Sequence, residues 1–182
     1  MLFAMSDTDV FKGEEVTLEE MMAAREQRSF RQLSLLRKFE DQSLLCASMN
    51  IPGPIKSSES LNKTFQSIIN LVKEDLKGRI IFEREVHQKT GWEYYCLSDL
   101  PVLELKTKMV AIETKISIGR LMDLDVLHLV NGIPQPISRQ ELGFPRRQCY
   151  ICQNDAKVCS RSRKHSVIEM QEAIAKFIKI NH

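Results

Sequence analysis

The chain has 182 residues, 43% hydrophobic and 27% charged, with a formal net charge of +2, the profile of a globular domain large enough to fold without disulfide staples. No apolar run approaches the ~20 residues that span a bilayer, and MLFAMSDTDVFKGEE has neither the basic start nor the apolar stretch of a secretory signal, so a cytoplasmic protein without a membrane partner is expected. Between Arg139 and His165 seven Lys or Arg face two acidic residues; that tract is too short and broken to grip a duplex, which argues against nucleic acid and for a polyanionic small molecule or an acidic protein.

In chain order, residues 1–16 are expected to be a flexible N-terminal segment. Thr17-Leu18-Glu19-Glu20 is a capping box that predicts a helix to around Phe39. On it Arg25, Arg28 and Arg31 recur every three residues, as a solvated face or as a guanidinium row able to grip phosphate. Leu44 to Ile51 reads as a buried strand, broken at Pro52-Gly53-Pro54. Ile55-Lys56-Ser57-Ser58 leads into a helix over 60–77, with Leu61, Phe65, Ile68, Val72 and Leu76 at helical spacing. Such a turn is either a plain loop or a place where Lys56, Ser57, Ser58 and backbone N–H groups meet an anion; the spacing of a Walker loop is absent.

Residues 79–87 and 92–97 predict a hairpin turned at Lys89-Thr90-Gly91. Two further strands are predicted over 109–118 and 122–130, with Gly119-Arg120 as a turn or bulge between them. A Pro-punctuated loop follows over 133–142. Ser166-Val167-Ile168-Glu169 is a second capping box, opening a terminal helix. These elements predict a single α+β domain over 1–182, with a mostly antiparallel or mixed sheet of about five strands and helices packed on it. Residues 139–165 would be its basic, Cys-containing loop region.

The most informative stretch is Gly119-Arg120-Leu121-Met122-Asp123-Leu124-Asp125-Val126. In a strand, Asp123 and Asp125 project to one face while Leu124 and Val126 enter the core. Two like charges there are either solvated at a strand end or share a hard divalent cation, typically Mg²⁺ held jointly with substrate phosphates. Glu113 offers a third carboxylate, in a register that the sequence leaves open.

Five cysteines, an odd number, argue against a disulfide framework. Cys46 and Cys96 lie in apolar runs, as buried thiols do. Cys149-x₂-Cys152-x₆-Cys159-x₅-His165 suits a structural Zn²⁺, reduced thiols in a loop, or a redox pair.

Four segments together resemble the apo-citrate lyase phosphoribosyl-dephospho-CoA transferase family, from Arg25 to the last helix. They are Arg25-Glu26-x-Arg28, Pro52-Gly53-Pro54-Ile55-Lys56-x-Ser58, the Gly119 to Val126 stretch, and Pro145-Arg146-Arg147-x-Cys149-x-x-Cys152 with Cys159, Arg161, Lys164 and His165. The resemblance implies transfer of a prosthetic group from 2′-(5″-triphosphoribosyl)-3′-dephospho-CoA to a serine of the acyl carrier protein subunit of citrate lyase, with release of diphosphate. It implies Asp123 and Asp125 as Mg²⁺ ligands and catalytic residues, with Glu113 as a further ligand or general base. Lys56, Ser57 and Ser58 would bind the leaving diphosphate, and Arg120, Arg25 and Arg28 other phosphates. The tract from Arg146 and Arg147 to Lys164 would meet the acidic carrier or the CoA-like moiety. A related transferase serving malonate decarboxylase resembles the polymerase-β-type nucleotidyltransferases, although this chain has no clear Gly-Ser start to that pattern. The alternatives are an equivalent transferase for that other carrier and a non-catalytic zinc-containing protein-binding module.

Overall fold

The computed structural model describes residues 10–181. A five-stranded antiparallel sheet lies at its centre, built from β1 (Ser43–Met49), β2 (Ile80–Val86), β3 (Glu93–Ser98), β4 (Met122–Val130) and β5 (Ile133–Pro136), in the order β2-β3-β1-β4-β5. Helices α1 (Leu18–Lys38), α2 (Glu59–Asp75), α3 (Val102–Lys115), α4 (Ala156–Ser162) and α5 (Val167–Ile180) surround it. The result is a single α+β domain, as its sequence pattern predicts. No helix among the described residues is long and apolar enough to cross a membrane.

Strand alternation divides the core. Leu45 and Ala47 of β1, Tyr94 and Cys96 of β3, and Leu124 and Val126 of β4 face α2 and α3, where Phe65, Ile68, Leu105 and Met109 complete a buried layer. The opposite face carries Leu44, Cys46, Tyr95, Leu97 and Leu127 under Leu36 of α1. A smaller cluster of Ile51, Leu61, Leu121, Ile174 and Ile178 docks α5 at one end of the sheet. The capping boxes at Thr17 and Ser166 are both formed.

Of the N-terminal segment, residues 1–9 lie outside the described residues. Val10 is buried, and its carbonyl accepts the Ser58 hydroxyl at 2.6 Å. Val16 N donates to Pro54 O at 2.9 Å, so residues 10–16 run packed against the 54–58 loop.

Three local expectations need correction. The predicted strand over 109–118 is helical: Leu105, Met109 and Ile112 of α3 lie three to four residues apart and face the sheet. Gly119 and Arg120 form neither turn nor bulge between strands; they sit in a 3₁₀ segment, Ser117–Leu121. A Cβ on Gly119 would lie 2.4 Å from Ile112 O, so only glycine permits this approach to α3. Lastly, 133–136 is a strand. Asn131 and Gly132 adopt positive φ (52° and 77°), as a tight hairpin requires, and Pro134 and Pro136 are tolerated because β5 is the sheet edge.

β5 pairs only with Leu127–Val130, which leaves the preceding part of β4 without a strand on its outer side. Side chains of α3 close that edge. Glu113 accepts from Leu124 N at 3.0 Å, and Lys106, two turns earlier, donates to Leu124 O at 2.9 Å. Ile137 N completes the row at Val126 O, 2.9 Å away.

Candidate active site

Asp123 and Asp125 share one face of β4, as their spacing demands. Asp123 accepts from Arg147 Nη1 at 2.8 Å. Asp125 has no hydrogen bond or ion pair with any described residue, and its carboxyl is held above the ordinary carboxylate range, first by desolvation and then by Asp123. Asp125 is exposed, so the like charge of Asp123 on the same face is the repulsion a cation would relieve, and carboxylate oxygens are the hard ligands that Mg²⁺ takes.

Register adds a third carboxylate to this face. Ser48 of β1 lies opposite both Asp123 and Glu93, so Asp123, Ser48 and Glu93 form one row across three strands. The two acidic Cα atoms are thus about 10 Å apart, two strand spacings. Glu93 is buried and fully engaged, by Arg28 Nε at 2.7 Å, Arg31 Nη1 at 2.9 Å and the Tyr95 hydroxyl. Sequence reasoning passed over it, although an acid inside Trp92-Glu93-Tyr94-Tyr95-Cys96-Leu97 is the same signal that singled out Asp123.

Glu113, reached from α3 and not from a strand, is 3% exposed. Besides Leu124 N it accepts from Arg139 Nη2 at 3.1 Å and from Arg147 Nη2. Arg147 therefore spans two carboxylates, Glu113 at the sheet edge and Asp123 on its face. Burial pulls Lys106 below the ordinary lysine range, against the opposing pull of Glu113 and Asp125.

Beside this network opens a cavity of about 1030 Å³, between the 50–56 loop, the 3₁₀ segment, the 139–165 region and the start of α5. Its wall carries Lys56, Arg120, Arg139, Arg146, Arg147 and Arg163, with Glu113 as the acidic residue among them. Lys56 donates to Ile51 O, and desolvation followed by the nearby charge of Arg25 lowers its pKa. Two cations held within reach of one another suit an anion.

The other predicted site residues divide plainly. Ser57 donates to Asn62 Oδ1 at 3.1 Å, while Ser58 caps α2 and is buried under Val10. Arg28 is committed to Glu93. Arg120 reaches the carbonyls of Gln148 and Cys149, at 3.1 and 3.3 Å, with its guanidinium 5.3 and 5.5 Å from the Tyr150 and Phe177 ring centroids. It clamps the basic segment to α5 while also lining the cavity. Cys149, Cys152, Cys159 and His165 come together, one ligand atom of each lying within 4.8 Å of the others.

The model of the family described as apo-citrate lyase phosphoribosyl-dephospho-CoA transferase matches residues 16–180. The chain belongs to this family. A relative from Streptococcus pyogenes serotype M18 that bears the family's name is 52% identical over 169 residues, which cover 92% of this chain and 88% of the relative. Another, from Vibrio cholerae serotype O1, is 33% identical over 182 residues, 92% of each chain. Protein CitXG of Leuconostoc mesenteroides subsp. cremoris is 35% identical over 173 residues, which are 93% of this chain but 37% of that longer protein. The match over 16–180 takes in both the sheet that carries the aspartates and the Cys-containing segment that carries Arg147.

Proposed function

We propose that this chain transfers the phosphoribosyl-dephospho-CoA group to apo-citrate lyase, taking it from 2′-(5″-triphosphoribosyl)-3′-dephospho-CoA and delivering it to a serine hydroxyl of the acyl carrier subunit, with diphosphate as leaving group. The observation that carries this reading is the juxtaposition, through the Arg147–Asp123 contact, of two aspartates on one strand face with a cationic cavity large enough for a nucleotide-sized ligand. The family's name, apo-citrate lyase phosphoribosyl-dephospho-CoA transferase, supports the same chemistry.

Displacement at phosphorus by an alcohol needs charge neutralised on the polyphosphate, and a nucleophile held in line. Asp123 and Asp125 would hold Mg²⁺, which when bound supplies charge stabilisation at the reacting phosphate. Lys56, with the charge of Arg25 near it, would face the polyphosphate from one side of the cavity, and Arg146 and Arg163 would face it from the other. Arg147 donates to both Asp123 and Glu113; released from Asp123 by a competing charge, the guanidinium would still hang from Glu113 at the cavity wall. Glu113 thus acts as a positioning residue, since each of its oxygens already has a donor. An oxygen of Asp125 not engaged by the metal would accept the serine proton, since no described residue donates to that carboxylate.

Intact-mass spectrometry of the apo-carrier, after incubation with protein, donor and Mg²⁺, tests this reading. The expected result is a gain of one phosphoribosyl-dephospho-CoA group that is lost with Asp125→Asn. An unmodified citrate lyase carrier would overturn it, and modification of a malonate decarboxylase carrier alone would reassign the acceptor.

A further inference from the structure

Within 138–173 the buried residues are Cys149 and Cys159; the remainder is exposed or half-buried. Two buried thiols and the half-buried Tyr150 ring are too little apolar burial to order a segment of that length. Its backbone is nevertheless specified. Cys149 N donates to Asn154 O at 2.6 Å, Gln148 and Asp155 form a β-bridge, and Lys164 N donates to Cys159 O at 3.1 Å. Gln153 and Arg163 adopt left-handed φ of 58° and 49°, an unfavourable conformation for residues with a Cβ. The first turn returns the chain after Cys149 and Cys152, and α4 delivers Cys159. The second turn ends α4 and swings His165 back onto the same point.

We propose that Cys149, Cys152, Cys159 and His165 bind one structural Zn²⁺. Their ligand atoms lie within 4.8 Å of one another, and Cys152 Sγ is 3.4 Å from Cys159 Sγ. A tetrahedral ion with Zn–S about 2.3 Å and Zn–N about 2.0 Å sets its ligands roughly 3.5–3.8 Å apart, so a slight adjustment closes the shell. The second, independent observation is His165: its Nε2 is buried and has no hydrogen-bond partner among the described residues. With four protein ligands no position remains for substrate, the mark of a structural site. Three thiolates and one Zn²⁺ carry one net negative charge, which Arg161, Arg163 and Lys164, adjacent in the chain, offset. A disulfide between Cys152 and Cys159 would account for neither Cys149 nor the imidazole.

The site stands where it can order the cavity. Cys149, Cys159 and His165 line that cavity, and the Cys149 carbonyl receives Arg120. Arg146 and Arg147 precede Cys149 by three and two residues. The metal would hold in place one wall of the cationic cavity, and its site is separate from Asp123 and Asp125.

Elemental analysis of the full chain, purified under reducing conditions without chelator, should find one zinc per chain. Cys159→Ser and His165→Ala should lose it, and Lys157→Ala, on the exposed side of α4, should keep it. Cobalt exchanged into the wild-type protein should show the intense thiolate-to-cobalt absorption of a tetrahedral site. A strong chelator should increase proteolytic nicking within 138–165, an effect reversed by Zn²⁺ and not by Mg²⁺. Because wild-type stoichiometry alone decides the matter, a variant that fails to fold leaves the test intact. Folded protein without metal after zinc-replete expression would overturn the proposal, as would an intact mass lower by the two hydrogens of a disulfide.

Discussion

The sheet body and the 138–173 segment are held together by different physics. In the body, both sheet faces are packed with side chains such as Leu45, Phe65 and Tyr95, removed from water. In the segment little is, beyond Cys149, Cys159 and the half-buried Tyr150 ring; it hangs mainly on Arg147 to Glu113 and Asp123, on Arg120 to two carbonyls, on the Tyr150 hydroxyl to Arg120 O, and on the thiol cluster. Hydrophobic burial is non-directional and tolerant, whereas charge-assisted hydrogen bonds are directional and fail when one partner is lost. The protein thus sets Arg139, Arg146, Arg147 and Arg163 on the part of the fold that apolar burial holds least, and Lys56, Arg120 and the carboxylates on the part that it holds most.

The largest expected effect breaks the contrast at the acidic pair. Asp125→Asn should lower kcat by about 10²-fold or more, as loss of a few kcal/mol of transition-state stabilisation requires. Its stability should move the other way. The folded pKa of Asp125 is raised, so its favourable contribution is present at low pH and is lost as pH rises through that pKa. At about pH 7 the variant should therefore melt no lower than wild type, and any advantage should vanish near pH 3. A variant that melts well below wild type at neutral pH would contradict the assignment.

Glu113→Gln probes the seam between the two regions. It leaves Arg139 and Arg147 without their shared buried carboxylate and should cost about 3 kcal/mol in urea unfolding. Gly119→Ala tests the body alone: its Cβ meets a backbone carbonyl that cannot yield, at about 2 kcal/mol. Smallest is Arg163→Ala, expected to raise KM for the donor about 5-fold, or about 1 kcal/mol, with stability nearly unchanged; an equal fall in kcat would place Arg163 closer to the reacting phosphate.

Much of the body was legible because its signals are local. Capping boxes at Thr17 and Ser166, the hairpin at Gly91, and period-two alternation around Asp123 each depend on a few neighbouring residues. The helix α3 differs from its sequence expectation because Met109-Val110-Ala111-Ile112 looks like a strand, while its helical signal lies in the longer spacing of Leu105, Met109 and Ile112. β5 is hidden in the sequence since prolines argue against a strand unless it lies at an edge, and edge position is a property of the whole sheet. The site shows the same division. Its aspartate pair is readable from spacing, but that Glu93 shares their face depends on β1 lying between β3 and β4. That Arg147 links Glu113 to Asp123 depends on a reach across more than twenty residues of chain.

The closure of β4 by Lys106 and Glu113 has a consequence for association between molecules. An open strand edge invites another chain to add a strand, and here that edge carries the aspartates. The Leu124 amide and carbonyl are already bonded to side chains of α3, one of either charge, so the edge offers a newcomer no ladder to extend. Replacing that pair with apolar residues would leave the backbone of the active strand as bait for aggregation, well before it disturbed any substrate contact.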